Sequence, residues 1–272
     1  MAIEMSSLIM RAAPKPPMIF LYSPEGTGKT SIGAYSPSPI FMCFEDGMGD
    51  LEAARFPKII KDYDYILECI EFLGNEEHDF KTLVIDTADH LEPVIWKEAC
   101  DRNKWANIEA PGYGKGYEAA LDVWREFIGA LRYLRDHKGM AIVILAHSRI
   151  NHFDAPDTEP YDHYTPKLHE SKGGRGANSL LRELCDAVLF MNRRVSIVKD
   201  GKAPANGKAD TRNARGVGGN VRFIQTENQP AAIAKRRTGT FLPGTPTRID
   251  LPENPALSWD TLAKHLTYYT GE

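Results

Sequence analysis

Cysteine is scarce in this chain, and spacing pairs none of it. Only Cys43, Cys69, Cys100 and Cys185 occur, and no two form a C-x-x-C pair. Neither a disulfide framework nor a zinc cluster is therefore expected to organise the fold. Long apolar runs are missing as well. Residues 141–146 (AIVILA) are far too few to cross a bilayer, so no membrane partner is expected. The first 17 residues hold no continuous apolar stretch and no cleavage site. A secretory leader is not expected, and the cytoplasm is the expected compartment. No internal repeat is visible. Nor does one sign of charge dominate: 33 Lys and Arg face 37 Asp and Glu, for a net −4. That balance argues against a general nucleic-acid coat.

The chain does have ordinary globular material. It has 272 residues, 42% hydrophobic and 26% charged, enough to bury a full core without staples. Its charge is unevenly placed. Residues 193–222 hold eight basic and two acidic side chains, a net +6, which leaves −10 for the rest. A basic island on an acidic body is a localised signal about a partner.

Apolar, turn-bounded runs mark strands at residues 18–22, 40–44, 82–85, 141–146 and 187–191. Helical patterns fall between them at 64–73, 90–101, 118–137 and 178–184, with Pro93 expected in a first turn. One or two helical turns are also expected within residues 47–56. Strands alternating with helices predict an α/β fold, a mostly parallel sheet flanked by helices. Residues 148–175 show no periodicity and hold three prolines, so a structureless functional loop is expected there. After residue 191 the pattern becomes β-type. Residues 195–198 and 221–225 predict a long hairpin with a glycine-rich basic tip, residues 231–234 a last core strand, and Ser258 the cap of a helix over 259–266. The expected division is an arm (1–17), a core (18–250) and a C-terminal helical segment (251–272).

The sharpest motif is Ser23-Pro24-Glu25-Gly26-Thr27-Gly28-Lys29-Thr30-Ser31, which follows a strand and opens a helix. It has the form of a Walker A loop, except that Ser23 stands where the pattern has glycine. Gly26 and Gly28 let backbone N–H groups approach phosphates. Lys29 is placed to reach the β- and γ-phosphates, and the Thr30 hydroxyl to ligate Mg²⁺. The strand TLVI ends on Asp86, a Walker B carboxylate for the same ion. The residue after it is Thr87, not glutamate, so the catalytic base must come from elsewhere. Glu45, just past the strand IFMCF, is the candidate, with Asp46 the alternative. His147 follows the run AIVILA and is placed to sense the γ-phosphate.

In this order, SPEGTGKTS, FED, VIDT, ILAHSR and AKRRTG resemble the RecA-like P-loop ATPases. They are most similar to the phage RecA-like single-strand annealing recombinases, over roughly residues 15–250. The resemblance implies a RecA-like NTPase core using ATP and Mg²⁺, with Glu45 as base and His147 as a polar switch. It implies single-stranded DNA as substrate and a homo-oligomer, ring or filament. It also implies a single-strand DNA-binding protein as a further partner, and a bacterial host cytoplasm. Lys235 and Arg237 would reach a neighbour's nucleotide, where such fingers contribute about 10³–10⁵ in rate. Residues 148–175 would face DNA, with Phe153, Tyr161 and Tyr164 as stacking groups and Lys172 and Arg175 as phosphate ligands. In the basic island, Arg194, Lys199, Lys202, Lys208, Arg212 and Arg215 would track the DNA backbone. Competing readings are a ring-forming helicase or translocase, a non-motor P-loop kinase with 193–222 as its lid, and a binding module in which ATP is structural.

Overall fold

The structure, a computed structural model, describes residues 13–154, 159–171, 173–199 and 214–271. Side chains at 195–199, 214–218 and 220 lie outside that description. Strand β1 (Met18–Ser23) is buried along its whole length. Met18, Phe20 and Tyr22 point into one apolar layer, Ile19 and Leu21 into another. A strand apolar on both faces belongs at the centre of a covered sheet. Its two neighbours, β5 (Ala141–Phe153) and β7 (Ala187–Lys199), run parallel to it. Beyond β5 lie β4 (Thr82–Asp86), β2 (Pro39–Cys43) and the short β3 (Ala54–Arg55), all parallel. Beyond β7 the sheet turns antiparallel through β8 (Ala214–Gln225) and β10 (Arg248–Leu251). Two further strands pair off this path: β6 (Tyr161–Pro166) with β5, and β9 (Lys235–Arg236) with β7. The chain thus adopts the expected α/β fold, a mostly parallel sheet with antiparallel additions on its C-terminal side.

Helices cover both faces. On one lie α2 (Tyr63–Asn75), α3 (Ala88–Asn103), α4 (Lys115–Lys138) and α5 (Ala177–Leu184), burying Ile66, Leu91, Trp124, Phe127 and Leu181. The other carries α1 (Lys29–Ala34), α6 (Ser258–Ala263) and α7 (Thr267–Thr270), with Ile32, Trp259 and Leu262 inside. Asp62 starts α2 by accepting from the Tyr65 N–H, and Gly139 ends α4 in the left-handed region.

Several local expectations fail for identifiable reasons. Residues 148–175 are not structureless: β5 continues to Phe153 and folds back as a hairpin with β6. Polar residues alternate along that hairpin, so no apolar run announces it. Residues 47–56 form no helix; Gly49 takes a positive φ, and the chain reaches β3 instead. Pro93 lies inside α3, past its first turn, so its missing N–H leaves one helical hydrogen bond unmade. Residues 231–234 make single bridges and no strand, although Ala232 and Ala234 are buried. Ser258 lies inside α6, which has Leu257 as its N-cap and no side-chain cap; Asn254 caps the preceding 3-10 turn Pro255–Leu257 at the Ala256 N–H.

Candidate nucleotide site

The site begins where β1 ends. Residues 24–28 turn the chain into α1, and Gly26 (φ 68) and Gly28 (φ 99) supply the left-handed backbone that this turn needs. Thr27 is buried and its hydroxyl donates to the Pro24 carbonyl. Lys29 is buried too. Burial pushes its ammonium pKa down, against the opposing pull of Asp86, Asp89, Glu45 and Glu25. Among the described residues no ion pair holds it. Its charge is available to a ligand.

Asp86 reaches this loop although β5 stands between β4 and β1. The Thr30 hydroxyl donates to its Oδ2 over 3.0 Å. Its Oδ1 is buried without a hydrogen-bond partner. Burial raises its carboxyl to about 6, despite the Thr30 hydrogen bond. A carboxylate with one oxygen unsatisfied, beside a threonine hydroxyl, fits a hard cation such as Mg²⁺. Bound there, Mg²⁺ would offset charge on the nucleotide phosphates.

Glu45 lies two residues beyond β2. Its Oε1 is 3.4 Å from the donating Thr87 hydroxyl, and its Oε2 is 3.3 Å from His90 Nδ1. His147 stands opposite Ser23 in the β1–β5 register. Asp89 clamps it twice, accepting from the backbone N–H over 2.9 Å and lying 2.8 Å from Nδ1. Burial would raise the Asp89 carboxyl, but these His147 contacts outweigh it and hold the group at about 2. Asp89 and His90 belong to none of the motifs that mark the site in the sequence, and Thr87 enters them only as the residue after Asp86. Their signal was the short run TADH directly after Asp86, which starts α3 and turns back on the site.

The other side of β1 is different. Arg193 on β7 and Arg222 on β8 face each other in the strand register. The Arg193 guanidinium donates to the Gly26 carbonyl over 3.3 Å. Arg222 is buried, and its Nη1 lies 3.0 Å from where a Cβ on Gly28 would sit. Together with Ser31, Glu253 and Pro255 they line a cleft of about 380 Å³ along the loop.

Residues 15–238 match the family model described as AAA domain. The chain belongs to the AAA domain family. With its loop and the Thr30–Asp86 pair, this AAA domain is a P-loop nucleoside triphosphatase. No curated protein sequence matches the chain. Among solved structures it is similar to one titled as the RadB recombinase, at 13% identity and a TM-score of 0.40, over 78% of this chain and 81% of that one.

The remaining expected site residues of this AAA domain lie elsewhere. Lys235 and Arg237 are at the opposite end of the sheet, beside the start of β7. The Lys235 ammonium caps the Arg182 and Glu183 carbonyls of α5. Arg237 binds the Glu183 carbonyl over 2.9 Å and Asp186 over 3.2 Å. Within the single chain, Lys235 and Arg237 engage these carbonyls and Asp186. Tyr164, expected to stack on bases, stacks on Phe190 at 4.9 Å and packs on the core. Phe153 and Tyr161 pair at the outer end of the β5–β6 hairpin. Arg175 is exposed beside Glu118, and Arg194 beside Asp250. Lys172, Lys202, Lys208 and Arg212, and the side chains of Lys199 and Arg215, lie outside the described residues.

Proposed function

We propose that this AAA domain protein is an ATP-dependent single-stranded DNA-binding protein that promotes strand annealing or exchange in homologous recombination, as phage recombinases do. The observation that carries this reading is the placement of two hairpins. β5 and β7 flank β1, and both run on past its end, to Phe153 and Lys199. His147 stands at the root of one hairpin, and the Arg193–Arg222 pair at the root of the other. The second leads into the basic segment, the first carries Phe153 and Tyr161. A nucleotide in the loop therefore lies between two candidate DNA-holding elements. Backbone phosphates would meet the basic hairpin and bases the aromatic one.

In this reading Lys29 holds the phosphates, Thr30 and Asp86 would hold a Mg²⁺ that offsets their charge, Glu45 activates the attacking water and His147 senses the γ-phosphate. Self-association as a ring or filament would present several hairpin pairs to one strand. The test is binding of a fluorescent single-stranded oligonucleotide with ATP, with ADP and without nucleotide, at two salt concentrations. Affinity that depends on the nucleotide and weakens with salt supports the reading. Affinity indifferent to nucleotide would separate the loop from DNA and sink it. Unwinding of a forked duplex without annealing would turn the reading into a ring-forming helicase.

A further inference from the structure

The arginines at the root of the basic hairpin stand in an arrangement that costs energy without a ligand. Arg193 and Arg222 are directly opposed across the β7–β8 pair, and like charges so placed repel. Arg222 is only 6% exposed. Burial and the charge of Arg193 both pull its pKa down. Among the described residues neither guanidinium has a carboxylate partner. Arg193 donates to the carbonyls of Gly219 and Gly26. Arg222 uses Nη2 on the carbonyls of Pro252 and Glu253 and on Ser258 Oγ. Its Nη1 has none of these contacts and lies against Gly28. A buried cation left so needs an anion.

Position selects the anion. Asp86, Asp89, Glu45 and His147 gather on the β5 and β4 side of β1, where Lys29 feels their charge. In the proposed function that is the hydrolytic, γ-phosphate side. The arginines stand on the β7 side, along the outer face of the loop at Gly26, Gly28 and Ser31. Backbone groups of such a loop cradle the α- and β-phosphates, so these phosphates lie nearest the pair.

We propose that Arg193 and Arg222 bind the α,β-diphosphate of the nucleotide from within the same chain. This rests on the nucleotide site and not on the DNA reading. The hairpin root then belongs to the nucleotide, and only its outer part is left for DNA. Two guanidiniums on a diphosphate form charge-assisted hydrogen bonds. They act on ADP and ATP alike, because both carry these phosphates.

The test is the Kd of fluorescent ADP and of fluorescent ATP for the full chain with Mg²⁺ and no DNA, together with kcat and KM for ATP. Arg193→Ala is the main variant, because Arg193 is exposed and its loss leaves the fold in place. Arg222→Lys keeps the buried charge and removes the fork. Each is expected to raise both Kd values to a similar extent, about 10- to 100-fold, with kcat at saturation little changed. Lys29→Ala is the reference for a broken loop. An unchanged ADP Kd in Arg193→Ala overturns the proposal. So does a loss confined to kcat, which would place the pair on the γ-phosphate. Weakened oligonucleotide binding with intact ADP affinity would assign the pair to DNA instead. Wild-type protein that binds ADP no better than Lys29→Ala would overturn both this proposal and the nucleotide site beneath it. Nucleotide binding without any response to DNA would sink the DNA reading alone.

Discussion

Each candidate site side chain on the β4 and β5 side of the loop is held by another. Asp89 orients His147, Thr87 and His90 hold Glu45, and Thr30 holds one oxygen of Asp86. Glu45→Gln keeps the shape of the group and removes its basicity. It is expected to leave ATP affinity intact and to lower kcat by about 10²–10⁴-fold. An equal loss in affinity would mean that Glu45 binds and does not activate. Asp86 makes a second prediction. Its carboxyl, raised to about 6 by burial, would have to be ionised to hold Mg²⁺ in the proposed site. The gain in nucleotide affinity that Mg²⁺ confers should therefore be full at pH 7.5 and shrink as pH falls through 6. Calorimetric titrations with and without Mg²⁺ at the two ends of that range measure it. A gain independent of pH would move the metal off Asp86.

At the scale of elements, capping and burial make predictions separate from catalysis. Arg237→Ala removes contacts to the end of α5 and to Asp186. It is expected to lower stability by about 1 kcal/mol, seen as a fall in Tm, with kcat unchanged. A lost kcat at normal Tm would place Arg237 in the active site of a neighbour. Glu92 on α3 is buried, and both its oxygens accept from the His169 N–H. Burial raises its carboxyl to about 7, more than that hydrogen bond lowers it. Its contribution to stability is complete below the ordinary carboxylate value of 4.5 and is lost as pH rises through about 7. Glu92→Gln keeps an acceptor and removes this dependence, so Tm should fall from pH 5 to pH 8.5 more steeply in the wild type. Parallel profiles would contradict it. What was legible in the sequence follows from the same physics. β1, β2 and β4 are apolar runs between turns, and the loop at 23–31 is contiguous, so both could be read directly. The outer half of β5 was not legible, because a solvated hairpin has no apolar signature. Arg193 and Arg222 meet only through strand register, and Asp89 and His147 only through sheet order, neither of which composition or spacing contains.

Over the whole molecule, the small net charge of −4 conceals the division between an acidic body and a basic segment of +6. The structure places the root of that segment at the nucleotide loop, on the opposite side of β1 from Asp86 and His147. Nucleotide and DNA would then bind at adjoining parts of one hairpin, which gives a physical route for coupling them. Steady-state ATP turnover, measured against protein concentration with and without single-stranded DNA, tests that coupling most directly. The expected result is turnover stimulated by DNA and rising faster than linearly with protein concentration, with stimulation reduced by salt. Turnover that is the same with and without DNA at every protein and salt concentration would contradict it.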